Sequence, residues 1–94
     1  MQGDKFVWDD EKYEANFVKH GVLFEEAASV FDDVNALFSD DEEHSEHEAR
    51  FKIIGFSERA RLLMVCHCYR NGDSIIRLIS ARKATKSEQL EYRR

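Results

Sequence analysis

The dipeptide Asn71-Gly72 sits between two apolar runs, Arg61–Arg70 and Ser74–Arg82. A two-residue hairpin loop needs positive φ at both central positions, and Asn and Gly reach that region at least cost. The pattern predicts an antiparallel hairpin, and a hairpin dictates register. Counting outward from a two-residue loop, Arg70 faces Asp73 and Tyr69 faces Ser74. His67 then faces Ile76, Val65 faces Leu78, Leu63 faces Ser80 and Arg61 faces Arg82. One face carries Arg61, His67, Tyr69, Ser80 and Arg82. The other carries Leu62, Met64, Cys66, Cys68, Ile75, Ile79 and Ala81, with Arg77 as its one charge. This second face reads as the core face, to be covered by helices. A bulge at the turn shifts the register by one and swaps in Arg77.

The rest of the chain supplies those helices. Phe6-Val7-Trp8 is a short first strand. Asp9 or Asp10 is placed to cap a helix over Asp10–His20, with Glu11 at its positive end. Tyr13 and Phe17, flanked by Ala15 and Val18, give it an apolar face. Lys19 and His20 fill its last turn and Gly21 ends it. Phe24, Ala27, Ala28 and Phe31 follow a helical period, so a second helix is expected over Phe24–Phe31. Ala36–Ser39 reads as a second strand, Asp40–Glu48 as a solvated acidic loop, and Arg50–Ser57 as a third strand. Thr85 and Glu88 form a capping box for a last helix, docked through Leu90 and Tyr92. The order is β-α-α-β-β-β-β-α. The expected class is α+β: two N-terminal helices on a mostly antiparallel sheet, then a C-terminal helix.

Ninety-four residues suggest a single domain over 1–94. No run approaches the ~18 apolar residues of a membrane span. The opening residues, through Asp9, lack the apolar core of a secretory leader. Cys66 and Cys68 are separated by one residue on one strand, poor geometry for a bridge. A cytoplasmic protein with free thiols is expected. Charge is unevenly spread. Residues 1–49 hold 3 Lys/Arg against 15 Asp/Glu, a balance of −12; residues 50–94 hold 11 against 4, a balance of +7. Such asymmetry points to a polyanion partner, unless the halves interleave in space.

Several chemistries find no support. There is no Gly-rich phosphate loop and no nucleophile elbow. His44-Ser45-Glu46-His47 and Cys66-His67-Cys68 contain zinc-ligand residue types. The Cys and His of the latter point to opposite sheet faces, though, and structural zinc sites bring ligands in separated pairs. No metal and no organic cofactor is expected. Lys19 and His20 at a helix end are accounted for by the exposed carbonyls they meet. The facing pair Arg61 and Arg82 is the more telling feature. Like charges directly opposite destabilise a sheet, and an anion between them relieves the repulsion.

One set of residues carries a resemblance. Trp8-Asp9, Lys12, Asn16, Lys19-His20-Gly21-Val22 and Phe24-Glu25-Glu26-Ala27 resemble the opening of the BrnT family. His44-Ser45, Glu48-Ala49-Arg50-Phe51, Ile54-Gly55, Arg77, Ile79-Ser80-Ala81-Arg82 and Glu88 with Tyr92 continue the pattern, so the resemblance runs from Phe6 to Tyr92. It implies a toxin of a bacterial type II toxin–antitoxin system, with a fold similar to RelE-type ribonucleases, that arrests growth by cleaving RNA. It implies neutralisation by a BrnA-type antitoxin, whose DNA-binding part represses the operon. Operators are two-fold, so two toxins on an antitoxin dimer are expected.

Under that resemblance, metal-free cleavage would use the RNA 2′-hydroxyl as internal nucleophile. It needs a base, cations for the charge growing on phosphate, and an acid for the leaving 5′-oxygen. Arg61 and Arg82 are the expected cations, with His67, Lys19, His20 and Glu48 as further catalytic candidates. Arg50, Lys52, Arg77, Tyr69 and Tyr92 are expected to contact RNA, and Tyr92 could also move a proton. A different reading stays open here: a non-catalytic module that holds a DNA-binding partner and acts as co-repressor.

Overall fold

A computed structural model describes residues 5–94; the first four, part of the stretch read above for a leader, lie outside the described residues. Strands β1 (Phe6–Val7), β2 (Leu37–Asp40), β3 (Phe51–Phe56), β4 (Leu62–Arg70) and β5 (Ile75–Lys83) form one sheet in the order β1-β5-β4-β3-β2. β1 runs parallel to β5 and the other neighbours pair antiparallel. Helices α1 (Asp10–His20), α2 (Phe24–Ser29) and α3 (Lys86–Arg93) complete the expected α+β order. α2 tightens into a 3-10 turn over Val30–Asp32, so the expected end at Phe31 falls inside that turn.

The caps expected from sequence are in place. Asp9 accepts a bond from the Lys12 amide, and Gly21 closes α1 in the left-handed region at φ 71°. Thr85 and Glu88 exchange both bonds of the capping box. Asn16 does something the sequence did not announce. Its side-chain amide donates to the Ala81 carbonyl at 2.9 Å and its oxygen accepts from the Ala81 amide at 3.0 Å. A buried side chain from α1 thus pairs with the edge of β5 beyond the reach of β1, where backbone groups would otherwise lack partners.

Two expectations about the hairpin are corrected. The turn centres on Gly72 and Asp73 (φ 60° and 72°), with the Ser74 amide donating to the Asn71 carbonyl at 3.3 Å. The Ser74 hydroxyl reaches the same carbonyl at 2.8 Å and helps fix this choice. Arg70 therefore faces Ile75 and His67 faces Leu78, two positions on from the register expected. A bulge between Cys66 and His67 then shifts the pairing again, placing Cys66 opposite Ser80, Val65 opposite Ala81 and Met64 opposite Arg82. Arg61 precedes β4, and the facing pair Arg61 and Arg82 does not occur.

The faces are also reversed along β4 and the start of β5, while the bulge returns Ala81 to the core and Ser80 and Arg82 to the opposite face, as expected. α1 and α2 cover Leu63, Val65 and Leu78, which join Val22, Phe24, Ala27, Val30, Ile53 and Ala81 in the core. Burying a side chain of this size stabilises by about 1.5–3 kcal/mol. Gly55 shows why this face takes the helical layer. It lies opposite Leu63, and a Cβ there would meet Val30, Asp33 and Ala36 at 3.1 Å. Both faces of β4 are apolar, so alternation could not choose between them. Residues expected in the core, Met64, Cys66 and Cys68, lie on the face away from α1 and α2.

Candidate functional site

That second face collects the cations. Lys52 lies opposite Cys66, Arg77 opposite Cys68 and Arg82 opposite Met64, so all three share it with Ser80 and Arg70. Beneath them Ile54, Met64, Cys66 and Cys68 are buried. Two coverings reach over the ends of this face. At one end α3 places Tyr92 edge-on to Phe56 and Glu88 against Arg82, in a two-pronged pair at 2.9 and 3.0 Å. At the other end, segment 41–50 folds back over Cys66 and Cys68.

Segment 41–50 is tied down bond by bond. The Asp41 amide donates to the Arg50 carbonyl at 2.8 Å. The Ser45 hydroxyl donates to the Asp41 carbonyl at 2.7 Å and accepts from the Arg50 amide at 3.0 Å. Glu48 pairs with Arg70 at 2.8 Å, and the Arg70 guanidinium holds its carboxyl below the usual range. Asp41 receives His44 Nδ1 at 3.0 and 3.1 Å and the Cys66 thiol at 3.4 Å. Burial alone would raise the Asp41 carboxyl, but these bonds together hold it low. Burial and the Asp41 carboxylate push the Cys66 thiol up to about 12, so it stays protonated and donates. The segment encloses a cleft of about 230 Å³ lined by Glu43, His44, Glu46, His47, Glu48 and Arg50. Arg50 Nε is buried without a partner among the described residues.

The structure therefore brings together Glu48, Arg50, Lys52, Arg77 and Arg82 of the residues singled out from sequence, and sets others apart. Arg61 ties the start of β4 to α2. Its Nε donates to Glu26 at 2.9 Å, a second nitrogen also pairs with Glu26, and a further bond of 3.2 Å reaches the Gly21 carbonyl. Glu26 is 4% exposed, also accepts from the Ser57 hydroxyl, and is held below its usual range by Arg61. His67 is wholly buried on the helix side, edge-on to Phe31, with Phe38, Phe51 and Tyr69 around it. Burial pushes its pKa down to about 4. Tyr69 stands at the rim of the same cluster, beside a groove of about 400 Å³. Lys19 and His20 lie with Lys12 and Ser80 along a separate groove of about 190 Å³ between α1 and β5. The Tyr92 hydroxyl donates to Asp33 at 2.6 Å.

The candidate site residues read from sequence leave out His44, His47 and Asp41; the two histidines, three apart in an acidic run, enter that reading as zinc-ligand types, and His44 also in the family resemblance. Asp41, Glu43 and His44 do present one ligand atom each within 4.8 Å of one another. Two of the three are bonded to each other, however, which makes an oriented imidazole of the set.

Residues 8–88 match the family model described as the ribonuclease toxin BrnT of type II toxin–antitoxin systems. Among solved structures the chain is similar to the Brucella abortus ribonuclease toxin BrnT, with a TM-score of 0.65 and 22% identity. The match covers 86% of this chain and 96% of that one. No curated protein matches by sequence. Among the described residues no helix is long and apolar enough to cross a membrane.

Proposed function

This chain belongs to the BrnT family of ribonuclease toxins of type II toxin–antitoxin systems, and from that premise we propose that it cleaves RNA without a metal, by internal attack of the 2′-hydroxyl, on the sheet face away from α1 and α2. The observation that carries the reading is the gathering of Lys52, Arg77 and Arg82 on that face, with the Arg50 cleft at its border. Guanidinium forks keep their protons and contact two phosphate oxygens at once, which suits a phosphate gaining charge. Arg50 and Arg77 are the phosphate contacts in this reading, with Lys52 and Arg82 beside them. Arg82 is poised by Glu88 and released to RNA at the cost of that pair. Lys19 and His20 line the groove between α1 and β5, apart from these cations. Arg61 and His67 support the site through the fold.

The same reading supplies the partner: a BrnA-type antitoxin, two toxins on an antitoxin dimer in the cytoplasm, with operator DNA bound through the antitoxin. The test is direct. Expressed alone, the protein should arrest growth, and co-expressed antitoxin should relieve it. Purified, it should cut an RNA oligonucleotide in excess EDTA and leave a 2′,3′-cyclic phosphate. Arg77→Ala should slow cleavage by about 100- to 1000-fold with the melting temperature held, as loss of one transition-state donor does. Cleavage that stops in EDTA, or that proceeds on a 2′-deoxy linkage, would sink the mechanism. A harmless protein that still represses with its partner would favour the non-catalytic co-repressor.

A further inference from the structure

We infer that His44, oriented by Asp41, is the group that takes the 2′-hydroxyl proton, with Arg50 and His47 completing the reaction in the cleft formed by segment 41–50; the inference rests on the ribonuclease reading above and names the residues that perform it. The geometry is that of a base with a fixed tautomer. Nδ1 of His44 lies 3.0 and 3.1 Å from the two oxygens of Asp41, so it carries the hydrogen and donates. Nε2 is left with its lone pair. The Asp41 side chain is 9% exposed, while that of His44 is 60% exposed. One partner is locked in the protein and the other is open to substrate.

The locking is specific. Asp41 is fixed through its amide by Arg50, through its carbonyl by Ser45 and through its carboxylate by Cys66. Arg50 is fixed in turn by Ser45, and its Nε lacks a partner among the described residues. A buried N–H without an acceptor is unfavourable, and Arg50 lines the cleft that a phosphate would enter. Asp41, Glu43, Glu46, His47 and Glu48 face His44 from its own segment, and Arg50, Lys52 and Cys66 face Asp41 or the cleft from the sheet.

The step balances. The 2′-oxygen gives its proton to His44 Nε2 and bonds to phosphorus. The bond from phosphorus to the 5′-oxygen breaks, and that oxygen takes a proton from the imidazolium of His47. Arg50 carries the added charge on the non-bridging oxygens. The products are a 2′,3′-cyclic phosphate and a 5′-hydroxyl.

The test uses the full chain and a fluorescent RNA oligonucleotide in EDTA. His44→Ala should lower kcat on the order of 100-fold with KM little changed. Imidazole added to the buffer should restore part of that loss, which a structural role would not permit. Asp41→Asn keeps a partner for Nδ1 but removes the carboxylate, so it should lower kcat by less than His44→Ala, with KM little changed. His44→Ala cleaving within a few-fold of the parent protein overturns the inference. So does a loss that imidazole leaves untouched while the melting temperature falls. If the unsubstituted protein fails to cleave, the ribonuclease reading itself falls, and the inference with it.

Discussion

His67 is a residue whose position makes stability follow pH on the acid side. Its Nδ1 faces the Val65 carbonyl at 3.3 Å and its Nε2 faces the Tyr69 hydroxyl at 3.4 Å, inside a ring of aromatic side chains. Burial lowers its pKa from 6.5 to about 4. The unfolded chain therefore binds a proton in a window where the native state does not, and stability must fall as pH drops from about 6.5 toward 4. The full shift corresponds to about 3 kcal/mol. His67→Phe should flatten that part of a urea-midpoint profile; an unchanged slope would place its cause elsewhere. Arg61 makes the second residue-scale case. Removing it strands a buried Glu26 carboxylate, so Arg61→Ala should cost about 3 kcal/mol in chemical denaturation. The double variant Arg61→Ala/Glu26→Ala should lose less, because no buried charge is left unpaired.

At the scale of elements, Asn16 joins α1 to β5. Asn16→Ala leaves the Ala81 amide and carbonyl without their partner, and should cost about 1–3 kcal/mol while speeding hydrogen exchange at the Ala81 amide. Unchanged exchange there would show that water takes over the bonds. How much of the fold was legible in sequence follows from such details. Helix α1 was readable to the residue from its cap and its terminal glycine, but not from its apolar face: Phe17 and Val18 are exposed, and Asn16 is the residue that α1 buries. The hairpin was readable as a hairpin, but Asn71, Gly72 and Asp73 all take positive φ in a four-residue loop, which moves the register two positions on from that of a two-residue turn. The bulge at Cys66 leaves no compositional trace. Face assignment failed because Leu62, Met64, Cys66 and Cys68 are as apolar as their neighbours. The cations of the candidate site were found as residues, though with the wrong neighbours. Asp41 and His44 were missed because their meaning lies in a hydrogen bond across a 3-10 turn over Glu42–His44.

Across the whole molecule the two oppositely charged halves of the sequence partly interleave, through Glu26 with Arg61 and Glu48 with Arg70. Arg50, Lys52 and Arg77 remain beside one another on the face away from α1 and α2. RNA affinity should fall with salt, at a log–log slope of about −0.7 for each phosphate neutralised. Lys52→Ala/Arg77→Ala should flatten that slope by about 1–2 in fluorescence anisotropy. An unchanged slope would move the RNA to another face, such as the groove of Lys19 and His20. The sheet's two borders meanwhile differ in kind. β2 ends one border with all four residues exposed, while the other is β1, two residues long, followed by a stretch of β5 occupied by Asn16. Among the described residues β2 is therefore the longer open edge, and two copies joined border to border through β2 would turn outward the short β1 and the stretch of β5 that Asn16 occupies. The side chain that completes β5 thus also removes backbone groups on which a further copy could build.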